Sequence, residues 1–232
     1  MTRLKVWDIP VRLFHWSLVV LVGLSFYTMK TEGAPFVFPI EIHARAGYLL
    51  VGLLLFRWLW GLWGSPHARF TSFLYPPGRM LDYGRRLLRG KPPHYAGHNP
   101  LGGAMVLLML ISLTFQAASG LFLTDDIFFD APLHGWASSG IVKSLASLHS
   151  LNADLLVVLI AAHLMALLLH RFKGERLVSA MITGRKAFDG RPEDEPAEGL
   201  KPRFRNDRIA ILPLALVVLA LSSLPVIWLW SA

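Results

Sequence analysis

Nine histidines and no cysteine set the chemistry open to this chain of 232 residues. A neutral imidazole binds metals and carries protons. Without a thiolate there can be no disulfide, no cysteine-held iron–sulfur cluster, no thiolate haem ligation and no covalent haem attachment through C-x-x-C-H. Five histidines (His15, His43, His149, His163 and His170) lie in or at the ends of long apolar segments. An ionisable residue there is costly and marks a functional site by default. The other four, His67, His94, His98 and His134, lie in connecting segments, where a solvated imidazole is ordinary.

Spacing narrows the five to four. His149 and His163 are fourteen residues apart. On a helix that is about 21 Å along the axis and within about 40° of one face, the arrangement two haems stacked across a bilayer require. His43 opens the second apolar segment, level with His149. His15 lies one turn inside the first, in the half that contains His163. The expected pairs are His43 with His149 for an outer haem and His15 with His163 for an inner one. A bis-imidazole site leaves no open iron position, which suits electron transfer rather than oxygen binding. His170 competes with His163, since it shares nearly the same face and is close to His15 in depth. A His149–His170 separation of about 31 Å would put the irons at opposite surfaces, so spacing favours His163.

Haem propionates need cationic partners. Arg12 precedes His15 by three residues and Arg57 follows His43 by fourteen; both would serve the inner haem, and Arg45 the outer. The alternative for each is to snorkel to lipid headgroups. Asn152 and Asp154, just after His149, either tune the outer haem, carry a proton or bond between helices. Gly102, Gly103 and Gly120 read as packing positions. His98 and Asn99 are a candidate quinone contact, with helix capping as the competing role for Asn99.

The elements that position these residues are membrane helices. The chain is 54% hydrophobic and only 16% charged, and its apolar residues fall in five blocks, at 11–29, 43–63, 101–123, 149–170 and 209–230, each long enough for a hydrocarbon core of about 30 Å. Gly33, Pro35 and Pro39 break the chain between the first two. The net charge of +8 resides in loops, as the positive-inside rule describes; no zinc-finger spacing or RNA-binding signature suggests nucleic acid. Lys30 alone occupies the first loop and Lys143 alone the third, whereas ten Lys and Arg residues lie between 171 and 208. The N-terminus is therefore expected in the cytoplasm and the C-terminus in the periplasm of a bacterial inner membrane. The start, MTRLKV, reads as the approach to an uncleaved first helix. Residues 78–89 and 174–186 look amphipathic and suited to the headgroup layer. The acidic, Pro-rich stretch 190–199 reads as a flexible linker. The expected fold is all-α: a four-helix transmembrane bundle over 1–186 enclosing two b haems, a cytoplasmic linker over 187–208, and a fifth transmembrane helix over 209–232 as an appendage.

These residues carry a resemblance. VWDIPVRLFHW at 6–16, GYLLVGLLLFRWLWG at 47–61 after His43, GSPHARF at 64–70, GHNPLGG at 97–103, His149 and LVSAMITGRK at 177–186 resemble the bacterial cytochrome b-561 proteins and the b-type cytochrome subunits of nickel–iron hydrogenases. In that family His15, His43, His149 and His163 match haem ligands. The resemblance implies a four-helix bundle with two non-covalent b haems that exchanges electrons with quinone and a partner protein. The fifth helix departs from the shortest members.

The function expected from these features is transmembrane electron transfer between the quinone pool and a periplasmic redox partner, a c-type cytochrome, for which Asp125, Asp126 and Asp130 offer an acidic face. A nickel–iron hydrogenase anchor and a stand-alone quinone-linked superoxide oxidase are variants of this reading. A proton or metal transporter is the alternative from another class. Duplicated halves and helix breaks at mid-membrane would favour it, and the sequence has neither.

Overall fold

The computed structural model describes residues 2–29, 40–90, 92–188, 190, 192–194 and 208–231. In chain order the elements are strand β1 (Thr2–Lys5), helices α1 (Ile9–Met29), α2 (Ile40–Trp63), α3 (Phe70–Phe73), α4 (Pro77–Leu88), α5 (Pro100–Gly120), α6 (Ser139–Phe172) and α7 (Leu177–Thr183), strand β2 (Arg185–Phe188) and helix α8 (Arg208–Ser231). The helices α1, α2, α5, α6 and α8 are long and apolar enough to span a membrane. Their exposed apolar residues, among them Val20 and Leu216, are too many for a water-facing surface and fit a lipid-facing one.

Three boundaries differ from the expectation for physical reasons. α6 starts ten residues before His149, because Ser139, Lys143, Ser144 and Ser147 lower the hydropathy of its first turns without breaking the helix. α5 ends at Gly120, and Leu121–Leu123 turn away, with Leu121 N donating to Ala118 O and Phe122 N to Ser119 O. The stretch 174–186 is not one amphipathic helix. It contains the short α7, a left-handed cap at Gly184 and then β2, which pairs antiparallel with β1 in the register Thr2↔Phe188 to Lys5↔Arg185.

The chain forms two compact units. The first comprises residues 1–12, 58–108 and 161–217. Its core includes Trp7, Trp60, Phe70, Phe73, Tyr83 and Tyr95, with Trp60 fully buried. Asp8 is buried with both oxygens used: Oδ1 accepts Val11 N, capping α1, and Oδ2 accepts Trp60 Nε1 at 3.0 Å. Pro10 follows in the first turn of α1, where its missing N–H is not needed. The described part of the acidic stretch 190–199 is docked rather than loose. The Asp194 carboxylate accepts Ala96 N and Gly97 N, and Glu193 accepts Tyr95 Oη–H at 3.1 Å. The rest of that stretch and the expected chain break at Gly33, Pro35 and Pro39 lie outside the described residues.

The second unit comprises 13–57, 109–160 and 218–232. Here α8 is seated against α2 rather than standing apart. A side chain at Gly52 would meet Val226 Cγ2 at 2.5 Å, so the small residue lets the two backbones approach. Toward the other end of the contact the Arg45 guanidinium lies over the Trp230 ring at 5.5 Å.

Candidate haem-ligating histidines

The second unit contains the better-defined site. His43, in the first turn of α2, has Nδ1 3.1 Å from the Ser25 carbonyl of α1. A carbonyl only accepts, so Nδ1 carries the proton and donates. Thr28 Oγ1 lies 3.3 Å from the same nitrogen and itself donates to Ser25 O at 3.0 Å. On α6, His149 Nδ1 lies 2.9 Å from Ser119 Oγ of α5. The Ser119 hydroxyl hydrogen is directed to Gln116 O at 3.1 Å, so its oxygen accepts from Nδ1–H. Both imidazoles are thereby fixed as the Nδ1–H tautomer, with the Nε2 lone pair left to bind a metal. A hydrogen bond from the other ring nitrogen is how proteins orient metal-ligating histidines.

The ring centroids of His43 and His149 are 6.4 Å apart. A metal–imidazole bond of about 2 Å, added to roughly 1.1 Å from ring nitrogen to ring centre on each side, gives about 6.2 Å for two imidazoles sharing one ion in line. The observed 6.4 Å is within a few tenths of an ångström of that value, with the two ring planes at 72° to each other. Gly120 borders the same site: a Cβ there would meet His149 Cε1 at 3.2 Å, so the ring position depends on this residue having no side chain.

Asn152 makes the interhelical bond. Its Nδ2 donates to Ser112 O at 3.1 Å and to Gln116 Oε1 at 2.6 Å, and its Oδ1 accepts from Ser112 Oγ at 2.8 Å. Asp154 is exposed. Arg45 is two residues, about 200° of helix, from His43, and its guanidinium is engaged by Trp230.

The remaining expected ligands fall in different units, His15 in the second and His163 in the first. His15 on α1 meets the edge of Trp16 at 5.1 Å. His163 is half-buried on α6, and Arg57 is buried within α2. Arg12 donates from Nη1 to Ile182 O at 2.9 Å, so it ties the start of α1 to the end of α7.

His170 has a different environment. It is buried, with Nδ1 3.6 Å from Glu175 Oε2 and Nε2 3.4 Å from Asn99 Nδ2. Glu175 also pairs with Lys186 Nζ at 3.1 Å and His94 Nδ1 at 3.1 Å. Burial disfavours the ionised Glu175 carboxyl, but His170 and Lys186 outweigh it and hold the group at about 2. Both nitrogens of His170 thus face protein groups. Asn99 caps α5 through Oδ1, which accepts Gly102 N at 2.8 Å. His98 lies between Trp7 and Phe73 in tilted ring contacts, with centroids at 4.7 and 4.8 Å.

Sequence reasoning missed Ser25, Thr28, Ser119 and Glu175. The first three carry no distinguishing signal, because a Ser or Thr hydroxyl bonded back to its own helix, as Thr28 is to Ser25 O and Ser119 to Gln116 O, is ordinary in an apolar helix. Nothing local marks Glu175, whose partners come from other segments.

A family model described as prokaryotic cytochrome b561 matches residues 6–184. The probable Ni/Fe-hydrogenase B-type cytochrome subunit of Azotobacter vinelandii is 30% identical over 223 residues, covering 83% of this chain and 92% of that protein. The proteins of the same description from Rhizobium leguminosarum bv. viciae and Rhodobacter capsulatus are 26% and 25% identical, covering 81% of this chain in each case and 90% and 82% of their own lengths. No solved structure matches significantly. With the match spanning α1 to the end of α7 and the paired imidazoles within it, the chain belongs to the prokaryotic cytochrome b561 family, multi-pass membrane proteins that carry haem b and transfer electrons.

Proposed function

We propose that this chain carries electrons across the bacterial inner membrane between the quinone pool and a periplasmic redox protein, using two b haems. His43 and His149 hold one; His15 and His163 hold the other. The observation that carries the reading is the pair of Nδ1–H imidazoles at 6.4 Å. Haem supplies a one-electron couple when bound. The residues supply the rest. Ser25 and Ser119 would fix the ligand tautomers, and a pair of imidazoles on one haem would suit electron transfer rather than oxygen binding. Arg12 and Arg57 are the cationic candidates for propionates. The engagement of His170 by Glu175 and Asn99 supports His163 as the ligand on that part of α6. The Lys and Arg distribution supports a cytoplasmic N-terminus and a periplasmic C-terminus.

Two identities for the periplasmic partner have support. The relatives are described as hydrogenase subunits, which favours hydrogenase subunits. The acidic loop between α5 and α6, with Asp125, Asp126 and Asp130 and no Lys or Arg, favours a basic c-type cytochrome. The test is to purify the protein, measure haem per chain and record the reduced-minus-oxidised spectrum. Two haems with b-type bands, reducible by a quinol in proteoliposomes, are expected; a colourless protein overturns the reading.

A further inference from the structure

The loop that joins α5 to α6 is built to hold one shape. Ala131 N donates to Leu123 O and Leu133 N to Leu121 O, both at 2.9 Å, and Asp125 N donates to Phe129 O at 3.0 Å. Inside this ladder the Asp125 carboxylate accepts three consecutive backbone N–H groups, those of Ile127 at 3.0 Å, Phe128 at 2.8 Å and Phe129 at 2.8 Å. Thr124 Oγ1 accepts Asp126 N at 2.9 Å. With its backbone donors satisfied internally, the tip presents side chains rather than hydrogen-bonding groups. Ile127 is 76% and Phe128 90% exposed, an apolar pair rimmed by Asp126 and Asp130. The loop leaves α5 immediately after Ser119 and Gly120, the residues that contact His149. Leu123 to Phe128 is five residues, at most about 18 Å of chain.

Two surfaces could cover such a tip, a bilayer or a protein. Membrane-surface anchors combine apolar residues with cations that meet anionic headgroups. Here residues 121–138 carry three aspartates and no lysine or arginine, so an anionic leaflet repels the rim. A protein with an apolar patch ringed by basic groups is complementary on both counts. A locked loop also loses little conformational freedom on docking.

We propose that Ile127 and Phe128 form a preorganised docking knob for a basic, water-soluble electron-transfer protein of the c-type cytochrome class, and that Asp126 and Asp130 steer its approach. This rests on the electron-transfer reading with a soluble periplasmic partner. In the exchange one electron leaves the reduced membrane protein and converts one ferric cytochrome to ferrous, and no proton moves.

The test uses the full haem-loaded chain in nanodiscs, reduced and mixed in stopped flow with oxidised mitochondrial cytochrome c as the basic probe. The haem spectrum serves as the folding control. Phe128→Ser is expected to slow the bimolecular electron transfer about tenfold, the effect of losing a central apolar contact. Asp125→Ala, which unlocks the loop and leaves the knob's side chains in place, is expected to slow it several-fold. Asp126→Asn with Asp130→Asn should flatten the salt dependence of the rate. Wild-type rates in Phe128→Ser and Asp125→Ala overturn the knob alone. A wild-type protein that is reduced normally but does not pass electrons to the probe overturns the knob together with the soluble-partner reading. Quenching of Phe128→Trp fluorescence by brominated lipid would place the tip in the bilayer and also overturn the knob.

Discussion

The Nδ1 of His149 lies 2.9 Å from the hydroxyl of Ser119, one helix over. An acceptor on Nδ1–H makes the ring a stronger electron donor at Nε2, so this hydroxyl tunes whatever Nε2 binds. Ser119→Ala removes the acceptor and leaves volume nearly unchanged. The expected result is a weaker hold on one haem, by roughly tenfold in affinity, and an upward shift in one of the two potentials because the oxidised iron loses donation. An optical redox titration of the purified protein checks this. Two unmoved components would show that His149 is not a ligand.

Replacing His43 or His149 with alanine removes one side of the paired imidazoles. Each single variant is expected to retain about half the haem per chain, and the double variant no less than either alone, since both residues serve one site. A pyridine haemochrome assay against protein concentration measures this. Additive losses in the double variant would break the pairing.

Gly120 gives a graded probe of the same ring. A Cβ at 3.2 Å from His149 Cε1 forces a shift of a few tenths of an ångström, and a branched side chain forces more, at about 1–3 kcal/mol for overpacking. Gly120→Ala is expected to keep both haems with one altered potential, and Gly120→Val to lose one haem. Low-temperature difference spectra distinguish these outcomes. A fully loaded Gly120→Val protein would mean that the ring tolerates displacement and does not bind iron.

How far the sequence reveals this site follows the range of the interactions. The positions of His43 and His149 were legible because helical periodicity and depth act along one segment. The tautomer partners Ser25 and Ser119 were not, because a hydroxyl bonded back to its own helix, as Ser119 is to Gln116 O, is ordinary in an apolar helix. β1 and β2 were hidden because four-residue, charge-rich strands such as Thr2–Lys5 have no periodicity to read, and only the pairing with Arg185–Phe188 makes them strands. Nothing in the sequence marks the neighbour of Arg45: two residues along a helix is about 200° from the His43 face, and its guanidinium lies over Trp230, about 185 residues away.

His163→Ala and His170→Ala separate a ligand from a structural residue. The first is expected to lose the second haem and leave the His43–His149 haem spectrally intact. The second is expected to keep both haems and lose thermal stability, because it removes a partner of Glu175 and Asn99. Haem content and melting of the same preparations decide it. Haem loss in His170→Ala with full retention in His163→Ala would reverse the assignment.

Glu175 supplies a pH-dependent share of stability. Its carboxyl moves from an ordinary value of 4.5 to about 2: burial raises it, and His170 and Lys186 lower it further than burial raises it. A carboxyl depressed by folding stabilises the native state fully above the unfolded value, and that contribution disappears as pH falls through the folded one. The window is therefore from about 4.5 down to about 2. Lys186, with its side chain only 9% exposed, half-exposed His94 and buried Tyr83 also face the carboxylate. Glu175→Gln is expected to melt below wild type at neutral pH, with the two curves converging as pH approaches the lower limit. Lys186→Met, which strands the buried carboxylate, should cost on the order of 3 kcal/mol at neutral pH and shift the acid transition upward. Melting in detergent across the window measures both, and parallel wild-type and Glu175→Gln curves would remove Glu175 as the titrating group.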